Sequence, residues 1–406
     1  MSIVSIAKGR DPEVNVKEAI NLLGGIKKFI KPGDKVLIKP NLVAPNPPPA
    51  TTSLAVLRAI IELVKKANPS VISIGDSCSW PGKAEFGLGK YSNKDVLDRM
   101  GISKLAKEYH VRLCDFDRDG FKNVDIVDGL ILKKANISKD VLNSNVIINV
   151  PVLKMHYETL VTMGIKNLHG ILHDSYKIQF HRNDLNQKLV DLNKIIKSKL
   201  TIIDATEAME GCGPVMGNPV EMGLIVASGD VVAADTVGAA IMGVNAEEVE
   251  TIRIARSQGL GEGRLESILI KGLPLHRVRK KLKRPNVEIA GTYPNLKVFK
   301  GGMCHFCLVR SWLFLRLLED SDLLEKSGIQ NIFVGKSMRI PGEDELEGKS
   351  VFVGDCSISS LRPLIKVLGE KAVCLYGCPP IESPLVAVEE LKEKNRELEF
   401  SKTREI

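Results

Sequence analysis

KVLIKPNLVAPNPPPATTSLAVLRAIIELVKKANPSVISIGDS, Lys35 to Ser77, decides the fold class. Its two ends, KVLIKPNLV (Lys35–Val43) and SVISIGDS (Ser70–Ser77), are β-branched apolar runs that close on polar residues, as strands buried on both faces do. Between them SLAVLRAIIELVKKA (Ser53–Ala67) spaces its apolar residues for a helix, with Ser53 placed to cap it. Strand, helix, strand implies parallel pairing through a right-handed crossover. NVIINVP (Asn145–Pro151), LTIIDAT (Leu200–Thr206) and GLIVASGD (Gly223–Asp230) read as further buried strands. Towards the end, SVFVGDCS (Ser350–Ser357) and AVCLYGCPP (Ala372–Pro380) resume the pattern around the helical SSLRPLIKVLGEK. LVRSWLFLRLLED (Leu308–Asp320) reads as a helix buried against a sheet. The expected fold is therefore α/β, a mostly parallel sheet flanked by helices, with a second, smaller α/β domain at the C-terminus.

The chain of 406 residues is long enough for two or three domains. We expect an α/β domain over residues 1–275, a basic linker over 276–298 and a cysteine-bearing α/β domain over 299–406. The linker is marked by HRVRKKLKRP (His276–Pro285), which carries six Lys or Arg in ten residues and contributes to the net charge of +8. No aromatic residues interleave with that run, which argues against nucleic acid as a partner. The first residues lack the basic-then-apolar pattern of a secretory signal, and no apolar run is long enough to span a bilayer. A cytoplasmic location is expected. Oligomeric state is left open.

Ligands of open α/β sheets bind beyond the carboxyl ends of the strands. Here those exits are crowded. The first offers Lys39 and Asn41, the second Asp76 and Ser77. The third leads into VPVLKMHYETLVTMGIKNLHGILHD with Lys154, His156, Thr159, Thr162, Lys166, Asn167, His169 and His173. The fourth gives Asp204, Glu207 and the Gly-rich GCGPVMGNP, and the fifth Asp230 and Asp235. Lys154 and His156 alternate with apolar neighbours and so share a face. The lysines, Asn167 and the main chain of the Gly-rich segment suit a small anionic substrate. His169 and His173, four residues apart, offer a second possibility, two metal ligands on one helix. No P-loop, nucleophile elbow or dinucleotide fingerprint is present.

KVLIKPNLV, the GDS exit, VPVLKMHYETLVTMGIKNLHG and IIDATEAMEGCGP followed by LIVASGDVVAADTVGAAIMG resemble the domain of unknown function 362 family over residues 1–250. The resemblance implies a core made of Lys154, His156, Thr162, Lys166 and Asn167. Members often carry iron–sulfur modules, and the family is distantly similar to nickel-pincer lactate racemases. The compact ferredoxin repeat of such modules is missing here.

Eight cysteines in a chain without a secretory signal do not suggest a disulfide framework. Five of them, Cys304, Cys307, Cys356, Cys374 and Cys378, fall in the last 103 residues. Cys356 and Cys378 leave adjacent strands at equivalent places, while Cys304 and Cys307 sit at a helix start. Cys374, inside its strand, reads as a core thiol. Zinc is a competing ligand, but structural zinc sites show two close-spaced knuckles and only one exists. Dispersed thiolates and the Cys378-Pro379 pair fit a 4Fe–4S cluster better.

The reading is an iron–sulfur enzyme of oxidoreductase type. Lys154, His156, Lys166 and Asn167 act on a small anion, and Lys39, Asn41, Asp76, Ser77, Thr162, Asp204 and Asp230 bind it. Cys304, Cys307, Cys356 and Cys378 hold the cluster, with the pocket beside it. The alternatives are a non-catalytic electron carrier or redox sensor serving a partner protein, and a zinc-binding structural protein.

Overall fold

The computed structural model describes residues 1–78, 91–173, 176–177, 180–181, 184–303, 305–336, 338–378, 380, 384 and 386–393. Cys304 and Pro379 lie outside them. The chain forms two units, the first running to Asn286 and the second starting at Val287.

The strands of the first unit are β1 (Ser2–Lys8), β2 (Lys35–Lys39), β3 (Val71–Asp76), β4 (Arg112–Asp115), β5 (Phe121–Asp125), β6 (Lys134–Ser138), β7 (Val146–Asn149), β8 (Val152–His156), β9 (Leu160–Thr162), β10 (Leu200–Cys212), β11 (Met216–Ser228) and β12 (Ile268–Gly272). Its main sheet runs β12-β1-β11-β10-β7-β2-β3-β4, with β8 paired to β10 and β9 to β8. From β10 to β4 the neighbours are parallel. The crossover helix Leu54–Lys65 buries Val56, Leu57, Ile60, Ile61 and Val64 against this sheet, as its periodicity predicts. Ser53 is at its N-cap, but its hydroxyl caps no helix N–H; its own N–H donates to the Asp204 carboxylate at 2.8 Å.

Two expectations change. GLIVASGD belongs to β11, which runs antiparallel to both β1 and β10. Most of the Gly-rich GCGPVMGNP is the tip of the β10–β11 hairpin, whose ladder continues to the Cys212–Met216 pair. The Gly211 N–H bonds the Lys283 carbonyl and the Gly213 N–H the Gly211 carbonyl, so these amides are engaged within the protein. The basic run keeps its Lys and Arg side chains exposed, while Val278 and Leu282 are buried and the Lys280 and Leu282 N–H groups bond the carbonyls of Ile241 and Met242.

The second unit has the parallel sheet β13 (Lys297–Lys300), β14 (Ile329–Val334), β15 (Lys349–Val353) and β16 (Ala372–Leu375), in that order. Register aligns Phe299, Phe333 and Phe352 on successive strands, and their rings stack at 4.5 and 4.7 Å. The helix His305–Asp320 forms where the apolar run predicts it. Among the described residues no helix is long and apolar enough to cross a membrane.

Candidate functional site

The long strand β10 pairs first with β7 and then with β8, and the register shifts within the β8 pairing between Asp204 and Met209. The break between them at Val150-Pro151 lets β8 carry Lys154 and His156 beyond the sheet on one face. The chain then turns back through β9 into the short helix Gly164–Asn167 and a turn of 3-10 helix, Leu168–Ile171. That return lies over the ends of β2 and β3.

Together these segments enclose a cavity of about 50 Å³ lined by Lys39, Asn41, Asp76, Lys154, His156, Thr162, Lys166, Asn167 and His169, with Val43, Gly170 and Pro214. Eight residues singled out from the strand exits and the third segment as substrate ligands or catalytic groups therefore meet in one place. Gly170 is required there, because a Cβ would collide with Asp76 Oδ1 and Lys39 Nζ.

A one-way series of amide bonds braces the wall. Lys154 Nζ donates to Asn41 Oδ1 at 2.7 Å and Asn41 Nδ2 to Asn167 Oδ1 at 2.9 Å. Asn167 Nδ2 donates to Asn149 Oδ1 and Asn149 Nδ2 to the Gly164 carbonyl, both at 2.8 Å. Asn167 is thus committed at both ends of its amide. Asp235 fastens the same corner from the helix Val231–Ile241, accepting from the Gly164 and Ile165 N–H groups.

Burial governs the titration of the site. It lowers Lys154 to about 7, with the Lys166 charge adding to the effect. Lys166 is also lowered by burial, against the pull of Glu158. Burial holds His156 and His169 well below the usual imidazole range. Asp76 is raised by burial despite Lys39, 2.7 Å away, and Asp235 is raised by burial to about 7.

The remaining pocket candidates have other partners. Ser77 donates to Asp117 and accepts from Lys177. Asp204 holds the Ser53 and Thr206 N–H groups, and Asp230 caps the helix Val231–Ile241 while accepting from Ser2 and Glu262. None of the three lines the cavity. His169 and His173 do not form a pair on one helix, because the helical turn ends at Ile171. His173 is exposed and packs edge-on to Phe121, while His169 lies by Phe180 and His181. Gly170, Val43 and Pro214 were not foreseen, since they shape the wall without offering a functional group.

In the second unit, Cys307 is buried and its Sγ would lie 2.9 Å from a Cβ on Gly354, whose φ is +80°. Gly354 is the exit of β15. The Asp355 N–H bonds the Gly377 carbonyl, and the Gly377 N–H bonds the Asp355 carboxylate, so the exits of β15 and β16 are laced together. Cys356 and Cys378 stand one residue beyond each lace and are exposed. Cys356 is in the first turn of the helix Gly354–Ser360, not at the strand end itself. Cys374 is half-buried on β16 against the phenylalanine cluster.

Elsewhere in the first unit, Cys114, Asp119 and Asp140 could hold a metal ion, with ligand atoms within 4.8 Å of one another. Arg112 and Arg118 already balance the two carboxylates.

The cavity residues all fall within residues 36–240, the span that matches the family "Domain of unknown function (DUF362)". A thylakoid-associated protein of Synechocystis sp. (strain ATCC 27184 / PCC 6803 / Kazusa) is 30% identical over 307 residues, 72% of this chain and 89% of that one. Among solved structures, the lactate racemase apoprotein from Thermoanaerobacterium thermosaccharolyticum aligns over 61% of this chain and 58% of its own, with 14% identity and a TM-score of 0.39. A protein from Thermotoga maritima aligns over 62% and 60%, with 11% identity and a TM-score of 0.32. The chain thus spans less than two thirds of these two solved structures. The family match and the Synechocystis relative agree, and the chain belongs to the DUF362 family.

Proposed function

We propose that the first unit is an enzyme module that binds a small anion in the lysine- and histidine-lined cavity and moves a proton on it. One observation carries this reading. Lys166, His156 and His169 line the same cavity; His169 Nε2 is buried without a hydrogen-bond partner, and no described residue bonds Lys166 Nζ or His156 Nε2. A buried nitrogen without a partner costs free energy unless a ligand satisfies it. Lys154, near neutrality, suits a group that gives and takes a proton at physiological pH. Lys39 and Asp76 set the floor of the site, and Asn41, Asn167 and Thr162 its walls.

The second unit fits a 4Fe–4S cluster held by Cys304, Cys307, Cys356 and Cys378. Support comes from the Gly354 cleft that admits the Cys307 sulfur and from the laced strand exits that carry Cys356 and Cys378. Thiolate donors from dispersed positions suit iron–sulfur chemistry. When bound, the cluster would supply single electrons or a Lewis-acidic iron.

Anaerobic purification followed by iron, zinc and sulfide analysis and EPR of the reduced protein tests the second unit. Iron and sulfide near four of each per chain are expected. Stoichiometric zinc without sulfide would overturn the cluster. For the first unit, full complementation of a deletion strain by both Lys154→Ala and His156→Ala would overturn an enzymatic role of the cavity.

A further inference from the structure

The run HRVRKKLKRP, His276–Pro285, takes no part in the cavity, and its backbone is fastened along its length. The Arg279 N–H bonds the Leu275 carbonyl. The Lys280 and Leu282 N–H groups bond the Ile241 and Met242 carbonyls, at the end of the helix Val231–Ile241. The Lys283 N–H bonds the Glu210 carboxylate, and the Lys283 carbonyl accepts from Gly211. Val278 and Leu282 are buried. The chain passes Gly243 so closely that a Cβ there would lie 3.0 Å from the Lys281 Cα. The basic side chains therefore project from a held backbone, and ordering them costs less than ordering a free linker would.

Two of the six cations have acidic partners. Lys283 lies 3.6 Å from Glu210, and Arg284 pairs with Glu248 at 2.7 Å. Arg277, Arg279, Lys280 and Lys281 are exposed, and among the described residues no carboxylate is within ion-pair distance of them. The hollow beside Arg279 also holds Glu247 and Glu266, but Arg256 takes Glu247. Four cations against Glu266 leave an excess of three positive charges on five consecutive residues, Arg277 to Lys281. The negative end of the helix Val231–Ile241, which the Lys280 N–H meets, offsets part of their repulsion.

The strip lacks what other partners need. A protein partner docks on an apolar centre, and no large apolar side chain of residues 276–285 is exposed. Single-stranded nucleic acid stacks its bases on aromatic rings, and the run has none. An anionic lipid surface asks only for exposed cations, each of which raises affinity roughly fivefold. We infer that Arg277, Arg279, Lys280 and Lys281 dock the protein on an anionic membrane surface. Charge alone holds it there, without insertion of apolar side chains.

Cosedimentation of the full chain with vesicles tests this, using phosphatidylcholine alone and phosphatidylcholine mixed with phosphatidylglycerol. The mixed vesicles should bind the protein at low salt and release it as ionic strength rises through about 0.15 M, while the neutral ones should not bind. Arg279→Gln with Lys281→Gln should weaken binding roughly 25-fold. Lys27→Gln with Lys122→Gln removes two exposed charges elsewhere and should cost far less. Equal losses in the two double variants would overturn the assignment to this strip. Equal binding to neutral vesicles would overturn the role of charge. If the protein binds oligouridylate or duplex DNA but no vesicles, the partner is nucleic acid and the proposal falls. It falls as well if nothing binds. Should the first double variant melt early, Arg277→Gln with Lys280→Gln decides in its place, since it too removes two charges of the strip and leaves the backbone bonds.

Discussion

Lys39 and Asp76 form an ion pair of 2.7 Å between strand ends, with both side chains sealed from solvent. Such a pair is held in place by its mutual attraction and is costly to break from one side. Asp76→Asn should destabilise the first unit by about 3–5 kcal/mol, because it strands a buried ammonium. Joint replacement by Lys39→Met and Asp76→Leu should recover much of that loss. Urea unfolding of the three proteins checks it. Equal losses in the single and joint variants would show that the pair is not the cause.

Asp235 gives a pH signature. Its carboxyl is raised in the folded state from 3.8 to about 7, so the native state holds a proton that the unfolded chain has released. Its contribution is fully present below the unfolded value and is lost as pH rises towards 7. Asp235→Asn should abolish that decline, by up to about 4 kcal/mol across the window. Stability measured at several pH values in both proteins is the check, and parallel curves would refute it.

Gly354 borders Cys307 so closely that Gly354→Ala would press a methyl group on the sulfur, in a backbone conformation that suits glycine. Iron bound per chain should fall severalfold in Gly354→Ala and in Cys307→Ser. An unchanged iron content in both would remove Cys307 from the ligand set.

Asn167→Leu keeps the size of the side chain and deletes two links of the amide series. It leaves the Asn41 donor and the Asn149 acceptor buried without their partner, at about 1–3 kcal/mol each. Melting should drop accordingly, and an unchanged melting temperature would show that these two links do not brace the wall.

The parallel strands were legible because burial on both faces leaves unbroken apolar runs such as VLI in β2 and VIIN in β7. β1 was missed, since Ser2 and Ser5 interrupt its pattern and it opens the chain without a preceding turn. The β10–β11 hairpin was misread because its outer half carries Glu207, Glu210, Gly213, Pro214 and Pro219, the composition of a loop. Convergence of Lys39, Asp76, Lys154 and Lys166 was legible from the rule that strand exits gather ligands. Asp204 and Asp230 obey the same rule by position, yet spend their oxygens on helix starts. Spacing alone does not tell a carboxylate that caps from one that binds. His169 was noticed for the wrong partner, since the length of a single helical turn is not written in an i, i+4 spacing.

The amide series from Lys154 to Gly164 has a direction, every nitrogen giving to the next oxygen. None of the three asparagines can rotate its amide without breaking a link on each side, and they cannot reverse together, because the Gly164 carbonyl can only accept. The orientation at the proton-bearing end is therefore set by a backbone carbonyl at the far end. A residue change that tilts the short helix at Gly164 would retune the amine of Lys154 without touching it.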